Sequence, residues 1–310
     1  MSDFASVVER ARRAAASVSK LEAELARDPE SVVLQVNLAA FKKLAEKSHA
    51  QLLALSEECH IDVCNYRLIP ITANDYAVYS VSRSLLEYQY LFSQVHDAKR
   101  NGPKTRARIG DEAWSESALD MGYSYSGSLG FVLFAHNERD FFDGKLDAAI
   151  ASLVELTELN SRAAVRQAAQ EFGTAVVKRV HDWSKVNFDG GFATDLLWKR
   201  SDGREIGRVV DRSDMERIVD LVEATSDENT KTIQVRGMLV GGDVASKTFH
   251  FVIPDGQDFR GQISSEYDAV TELTLGRTYD AKIRIKTTLV YATEKETSTN
   301  ELISLSEVRP

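Results

Sequence analysis

The chain is poor in cysteine, with Cys59 and Cys64 alone among 310 residues, and this excludes a disulfide-stapled scaffold. Five prolines leave long stretches uninterrupted for helices. No apolar run approaches the roughly 18 to 20 residues that a membrane helix needs, so no membrane partner is expected. Residues 1–13 are amphipathic and charged, without the apolar core of a signal peptide, and the expected location is cytoplasmic. Basic charge is not in excess either, because the net charge is −9. Residues 1–60 carry 8 Lys+Arg against 9 Asp+Glu, residues 61–230 carry 20 against 27, and residues 231–310 carry 10 against 11. The acidity sits in the middle, and no segment is basic enough for its net charge alone to indicate nucleic acid.

What is present is ordinary globular material: 43% hydrophobic and 27% charged residues, which excludes wholesale disorder and a collagen-like chain. The length predicts two or three packing units. Three are expected, 1–60, 61–230 and 231–310, giving a multidomain α+β protein.

In the first, Phe4, Val7, Ala11, Ala14, Val18, Leu21 and Leu25 follow a 3,4 spacing. A second seam runs Leu34, Leu38, Phe41, Ala45, Ser48, Leu52 and Leu55. The pattern predicts two helices forming an antiparallel coiled-coil hairpin, with Asp28 as cap and Pro29 in the first turn of the second helix. The stripe is a candidate seam for a protein partner or for self-association, through Leu21, Leu25, Leu38, Phe41 and Leu52.

The middle segment reads as α+β. A strand is expected over 61–71, a helix over 75–99, one or two strands over 119–136, helices over 145–159 and 161–183, a loop over 187–195, a hairpin over 196–210 and a helix over 211–224. The polar tract 226–230 has linker composition.

In the last segment, alternation marks strands at 233–239, 249–253, 259–263, 281–291 and 302–308, with helical composition over 264–273. This element order matches a small OB-like barrel, or an SH3-like one. Arg236, Lys282, Arg284 and Lys286 have the parity opposite the apolar face, and His250 shares it, so all five are expected to point outward. Such a face can track phosphates, but Phe249 and Phe251 have inward parity and leave few stacking platforms.

No catalytic motif is present. Cys59, His60, Cys64 and the upstream His49 do not make the duplicate pairs of a zinc site. Gly237, Gly241 and Gly242 lack the Lys-Ser/Thr and following helix of a phosphate loop. Ser124, Ser126 and Ser128 do not complete a nucleophile elbow. Asp140, Asp143 and Asp147, near Phe141 and Phe142, are of a type that can bind a cation or do acid/base work, but their spacing does not make them converge and Asp143, just before a helix, reads as its cap; His136 and His181 read as single polar residues at element ends. Lys99, Arg100, Lys104, Arg106 and Arg108 cluster about a helix end, where cations suit the helix dipole. No metal or cofactor is expected. The leading expectation is a non-catalytic interaction or assembly protein using the hairpin and the barrel. The alternatives are nucleic-acid binding by the barrel face and an enzyme of unknown reaction with its site in the middle domain.

Overall fold

The structure is a computed structural model that describes residues 2–72, 76–126, 128–138, 144–243, 245–267 and 274–308. The chain is mixed α+β and divides into two compact units, 1–225 and 226–310.

The first unit begins with the expected helical pair, α1 (Ser2–Arg27) and α2 (Val32–Glu58). The reversal differs in detail. Ser31, not Asp28, is the N-cap residue of α2. Pro29 lies in the preceding turn, where its carbonyl accepts a hydrogen bond from Gln35 Nε2 at 2.8 Å. Proline needs only a preset φ, and a turn supplies one as well as a first helical residue does.

After the hairpin the apolar period changes from 3.6 to 2, and a five-stranded antiparallel sheet follows. Its strands are β1 (Ile61–Pro70), β2 (Leu119–Tyr125), β3 (Leu129–His136), β4 (Phe192–Lys199) and β5 (Glu205–Val210), in the order β2-β3-β1-β4-β5. Helices α3 (Val78–Asn101), α4 (Asp111–Ser117), α5 (Asp147–Leu156), α6 (Arg162–Phe172), α7 (Thr174–Asp189) and α8 (Arg212–Glu223) complete the unit.

Strand alternation separates two chemistries on β1. Cys64, Tyr66 and Leu68 are fully buried on one face, where Tyr66 Oη lies 2.6 Å from Ser84 Oγ of α3 and accepts from Trp183 Nε1 of α7 at 3.0 Å. Ile61 and Val63 point to the other face, into a cluster with Ala11, Ala15 and Leu52 of the hairpin. The hairpin therefore covers one side of the sheet, and α3 and α7 the other.

The helix expected over 161–183 is two helices, because Gly173 adopts φ +90°. A Cβ there would run into the backbone of Lys104, so the chain breaks where it passes the 104 loop. The segment expected as a loop over 187–195 is the end of α7 and the start of β4.

The second unit consists of β6 (Ser226–Asp243), β7 (Thr248–Val252), β8 (Asp258–Ile263), β9 (Thr278–Val290) and β10 (Lys295–Glu307). The pairings run β6-β7-β8-β10-β9 and return from β9 to β6, so the sheet closes on itself. All pairs are antiparallel except β8 with β10. Phe249, Phe251, Phe259, Tyr279, Ile283 and Leu302 fill the interior. The polar tract 226–230 is not a linker but the first part of β6, paired with residues 286–290 of β9. Of the stretch with helical composition, residues 264–267 form a turn closed by Tyr267 N–H on the Ser264 carbonyl at 3.1 Å, and 268–273 lie outside the described residues. No helix among the described residues is long and apolar enough to cross a membrane.

Candidate functional site

The sheet face under the hairpin is apolar at one end and polar at the other. Val63 is followed on the same side of β1 by Asn65 and Arg67, so the hairpin seals only the Val63 end. Beyond it lies a cavity of about 530 Å³. Ala11 and Ala15 of α1 and Ala45 of α2 line its helical wall, where short side chains keep the space open.

Register fixes the floor. Asn65 sits between Val132 of β3 and Leu197 of β4, and one row further on Arg67 sits between Gly130 and Asp195. Arg67 Nη2 donates to Asp195 Oδ2 at 2.7 Å, so this cross-strand charge is answered in place. Tyr125 pairs with Gly130 across β2–β3. A Cβ on Gly130 would fall nearly equidistant from Cζ, Cε1 and Cε2 of Tyr125, which places that point over the ring face. The ring thus lies flat on the glycine backbone.

Two further polar pairs come from the hairpin. His49 Nδ1 of α2 is 2.8 Å from Tyr123 Oη. Burial, with the nearby Lys199 ammonium, pushes the His49 imidazole below its usual value, and burial pushes the Tyr123 phenol up; both are neutral at pH 7. Glu22 of α1 accepts from Ser126 Oγ at 2.6 Å and pairs with Lys42 Nζ of α2 at 2.9 Å. Burial opposes ionisation of Glu22, and these two partners outweigh it, leaving the carboxyl below its ordinary value. Burial likewise raises the Tyr125 phenol, with Arg67 acting against it. Among the described residues neither the Asn65 amide nor the Tyr125 hydroxyl has a side-chain hydrogen-bond partner within the protein.

The residues singled out from sequence are dispersed. Of the helical seam, Leu52 is fully buried against the sheet and Leu38 is buried, Leu21 and Leu25 are half-buried, and Phe41 is 37% exposed. Phe41 and Leu44 line a groove on the outer side of the hairpin, with Ala14, Ser17 and Ser48 also lining it. On the second unit, Arg236 makes a bidentate pair with Asp280 at 2.8 and 2.9 Å, Arg284 pairs with Glu301 and Glu266, and Lys286 pairs with Glu228. His250 Nε2 is 3.1 Å from Asp258. Lys282 alone of the five has no ion pair among the described residues.

The other sequence features resolve into structural roles. Cys59 is exposed, whereas Cys64 is buried, its thiol pushed up to about 12 by burial. No metal-holding group of His, Cys, Asp and Glu occurs among the described residues. Asp147 accepts from Asn137 Nδ2 at 2.9 Å and from Gly144 N–H at 2.9 Å, and pairs with Arg200; Asp140 and Asp143, and with them the capping reading of Asp143, lie outside the described residues. His136 is 3.1 Å from Asp120, and His181 is 3.2 Å from Glu223. Lys99 pairs with Glu171, Arg100 with Glu112 and Glu116, and Lys104 with Asp97. The polar floor of the cavity is not evident from sequence, although one signal points to it: a β1 face that turns from Ile61 and Val63 to Asn65 and Arg67.

No family model and no curated protein matches the chain. Two solved structures align with about a quarter of it, a silver-bound CusF, at 14% identity and TM-score 0.17, and residues 6–88 of apo-CusF from Escherichia coli, at 15% identity and TM-score 0.18. The alignments cover 25% and 28% of this chain and 99% of each of those chains.

Proposed function

We propose that the chain is a non-catalytic assembly protein that pairs with a second copy of itself through the outer side of the α1–α2 hairpin, with the second unit as a separate OB-like binding module. The observation that carries this reading is a run of exposed apolar residues on α2: Val33 at 69%, Val36 at 62%, Phe41 at 37% and Leu44 at 46%. Val33 and Val36, and likewise Phe41 and Leu44, are i,i+3 neighbours on the helix surface, and Phe41 and Leu44 line the groove. Clustered exposed apolar surface of this kind favours association.

Self-complementarity favours a copy of the chain as the occupant. The groove carries a small-residue hollow at Ala14, Ser17 and Ser48 and projecting side chains at Phe41 and Leu44. It also carries both Glu9 and Arg10 on its α1 side. An antiparallel second hairpin would set projections into hollows and acid against base, giving a four-helix bundle with a two-fold axis.

For the second unit, β8 pairs with β10 and not with the sequentially adjacent β9. That Greek-key crossing supports the OB-like reading over the SH3-like one. The outward cations support nucleic-acid binding only weakly, because most already face a carboxylate. Native mass spectrometry of the full chain and of Leu44→Glu tests the proposal: the wild type is expected as a dimer and the variant as a folded monomer.

A further inference from the structure

The cavity beneath the hairpin is distinct from the outer groove, and its chemistry is specific enough to name a class of ligand. At about 530 Å³ it falls within the roughly 300 to 1,000 Å³ of small-molecule sites. Four of its five charged lining residues are answered in pairs, since Arg67 holds Asp195 and Lys42 holds Glu22, so an anion would have to break a pair to be neutralised. The fifth, Glu46, is solvent-exposed and offers a cation only a screened contact. Carboxylates also line it on both sides, at Glu22 and Glu46 of the helices and Asp195 of the sheet, which disfavours an anion.

What remains uncommitted is a flat ring and an amide. Tyr125 rests one face on Gly130, its partner in the last pair of the β2–β3 ladder. The ring is therefore packed in place before any ligand arrives, and Tyr125 lines the cavity. Asn65 projects from β1 one row away, on the same side of the sheet as Arg67. An amide presents a donor and an acceptor side by side, and that pair matches the adjacent acceptor and donor on the edge of a nucleobase. Aromatic stacking supplies affinity for such a ring whatever its identity.

We infer that the cavity binds an uncharged heteroaromatic ring of the nucleobase class, stacked on Tyr125 with its hydrogen-bonding edge on Asn65. The site belongs to the first unit alone. It is independent of hairpin self-association, so either can fail without the other.

The test is calorimetric titration of the full chain with adenosine, guanosine, cytidine and uridine. At least one is expected to bind saturably at or below millimolar concentration. Asn65→Leu should weaken that binding by roughly tenfold or more, as removal of a bidentate hydrogen-bonded pair does. Tyr125→Leu should weaken it comparably, whereas Tyr125→Phe, which keeps the ring, should leave it nearly unchanged. Tyr125→Phe also guards against misfolding of the leucine variant, because it retains the packing on Gly130. The proposal is overturned if none of the four nucleosides binds up to about 10 mM, if binding survives Asn65→Leu, or if Tyr125→Phe abolishes it in a chain that still unfolds cooperatively.

Discussion

The ring of Tyr125 occupies the space that a side chain at position 130 would take, so the two residues form a single packing unit across β2 and β3. The glycine is needed for space and not for conformation, since Gly130 is not among the residues with positive φ.

That relationship predicts the cost of filling the space. Gly130→Ala should destabilise the first unit by about 1 to 3 kcal/mol, the range for overpacking. In a Tyr125→Ala background the same substitution should cost much less, because the obstructing ring is gone. Urea unfolding of the two single variants and the double variant measures the coupling. Equal cost in both backgrounds would show that the ring does not lie on Gly130.

At Gly173 the constraint is conformational as well as steric. Its φ of +90° and ψ of 156° belong to a region open essentially to glycine, and its missing Cβ faces the Lys104 backbone. Gly173→Ala should lower stability by about 1 to 3 kcal/mol, seen as a lower midpoint in denaturant with an unchanged slope. A neutral effect would mean that α6 and α7 can join as one helix.

His49 gives a pH dependence of defined sign. Its folded pKa lies below the ordinary 6.5. As pH falls through 6.5 the unfolded chain takes up the proton first, so the neutral imidazole's contribution is lost between 6.5 and the lower folded value. The stability advantage of wild type over His49→Gln should therefore shrink from pH 7 to about pH 5. Asp62 and Glu87, both raised chiefly by burial, act in the opposite sense but are common to both proteins. Unfolding free energies compared across that range test this, and a constant difference would contradict it.

On the second unit, carboxylate pairing of Arg236, Arg284 and Lys286 predicts little phosphate tracking. Fluorescence anisotropy with single-stranded DNA or RNA should give no measurable affinity at physiological salt. Tight binding that weakens as salt is added, with a slope that falls by about 0.7 for each phosphate interaction removed in Arg284→Ala/Lys286→Ala, would reverse the assignment.

Legibility follows the strength of local periodicity. The helical pair is readable because Phe4 to Leu25 and Leu34 to Leu55 keep one apolar stripe. The strand at Phe249 alternates cleanly, those at Ile61 and Leu129 are short, mostly apolar runs buried on both faces for much of their length, and each lies where expected. The break at Gly173 is not readable, because a single glycine inside an apolar helical pattern does not announce what its absent Cβ would strike; Lys104 lies 69 residues earlier in the chain. Ser226 to Thr230 has a polar composition that resembles a linker, whereas pairing with β9 satisfies the backbone whatever the side chains. The cavity is hidden for a similar reason. Asn65, Tyr125 and Asp195 meet through strand register, which no spacing in the sequence reports.

Self-association through the hairpin is the central claim, and sedimentation equilibrium of the full chain from low to high micromolar concentration tests it most directly. The account predicts a mass that rises toward twice the 34.5 kDa of the chain, and a Phe41→Glu/Leu44→Glu variant that stays at the chain mass with unchanged cooperativity of unfolding. A wild-type mass of 34.5 kDa at every concentration would contradict it.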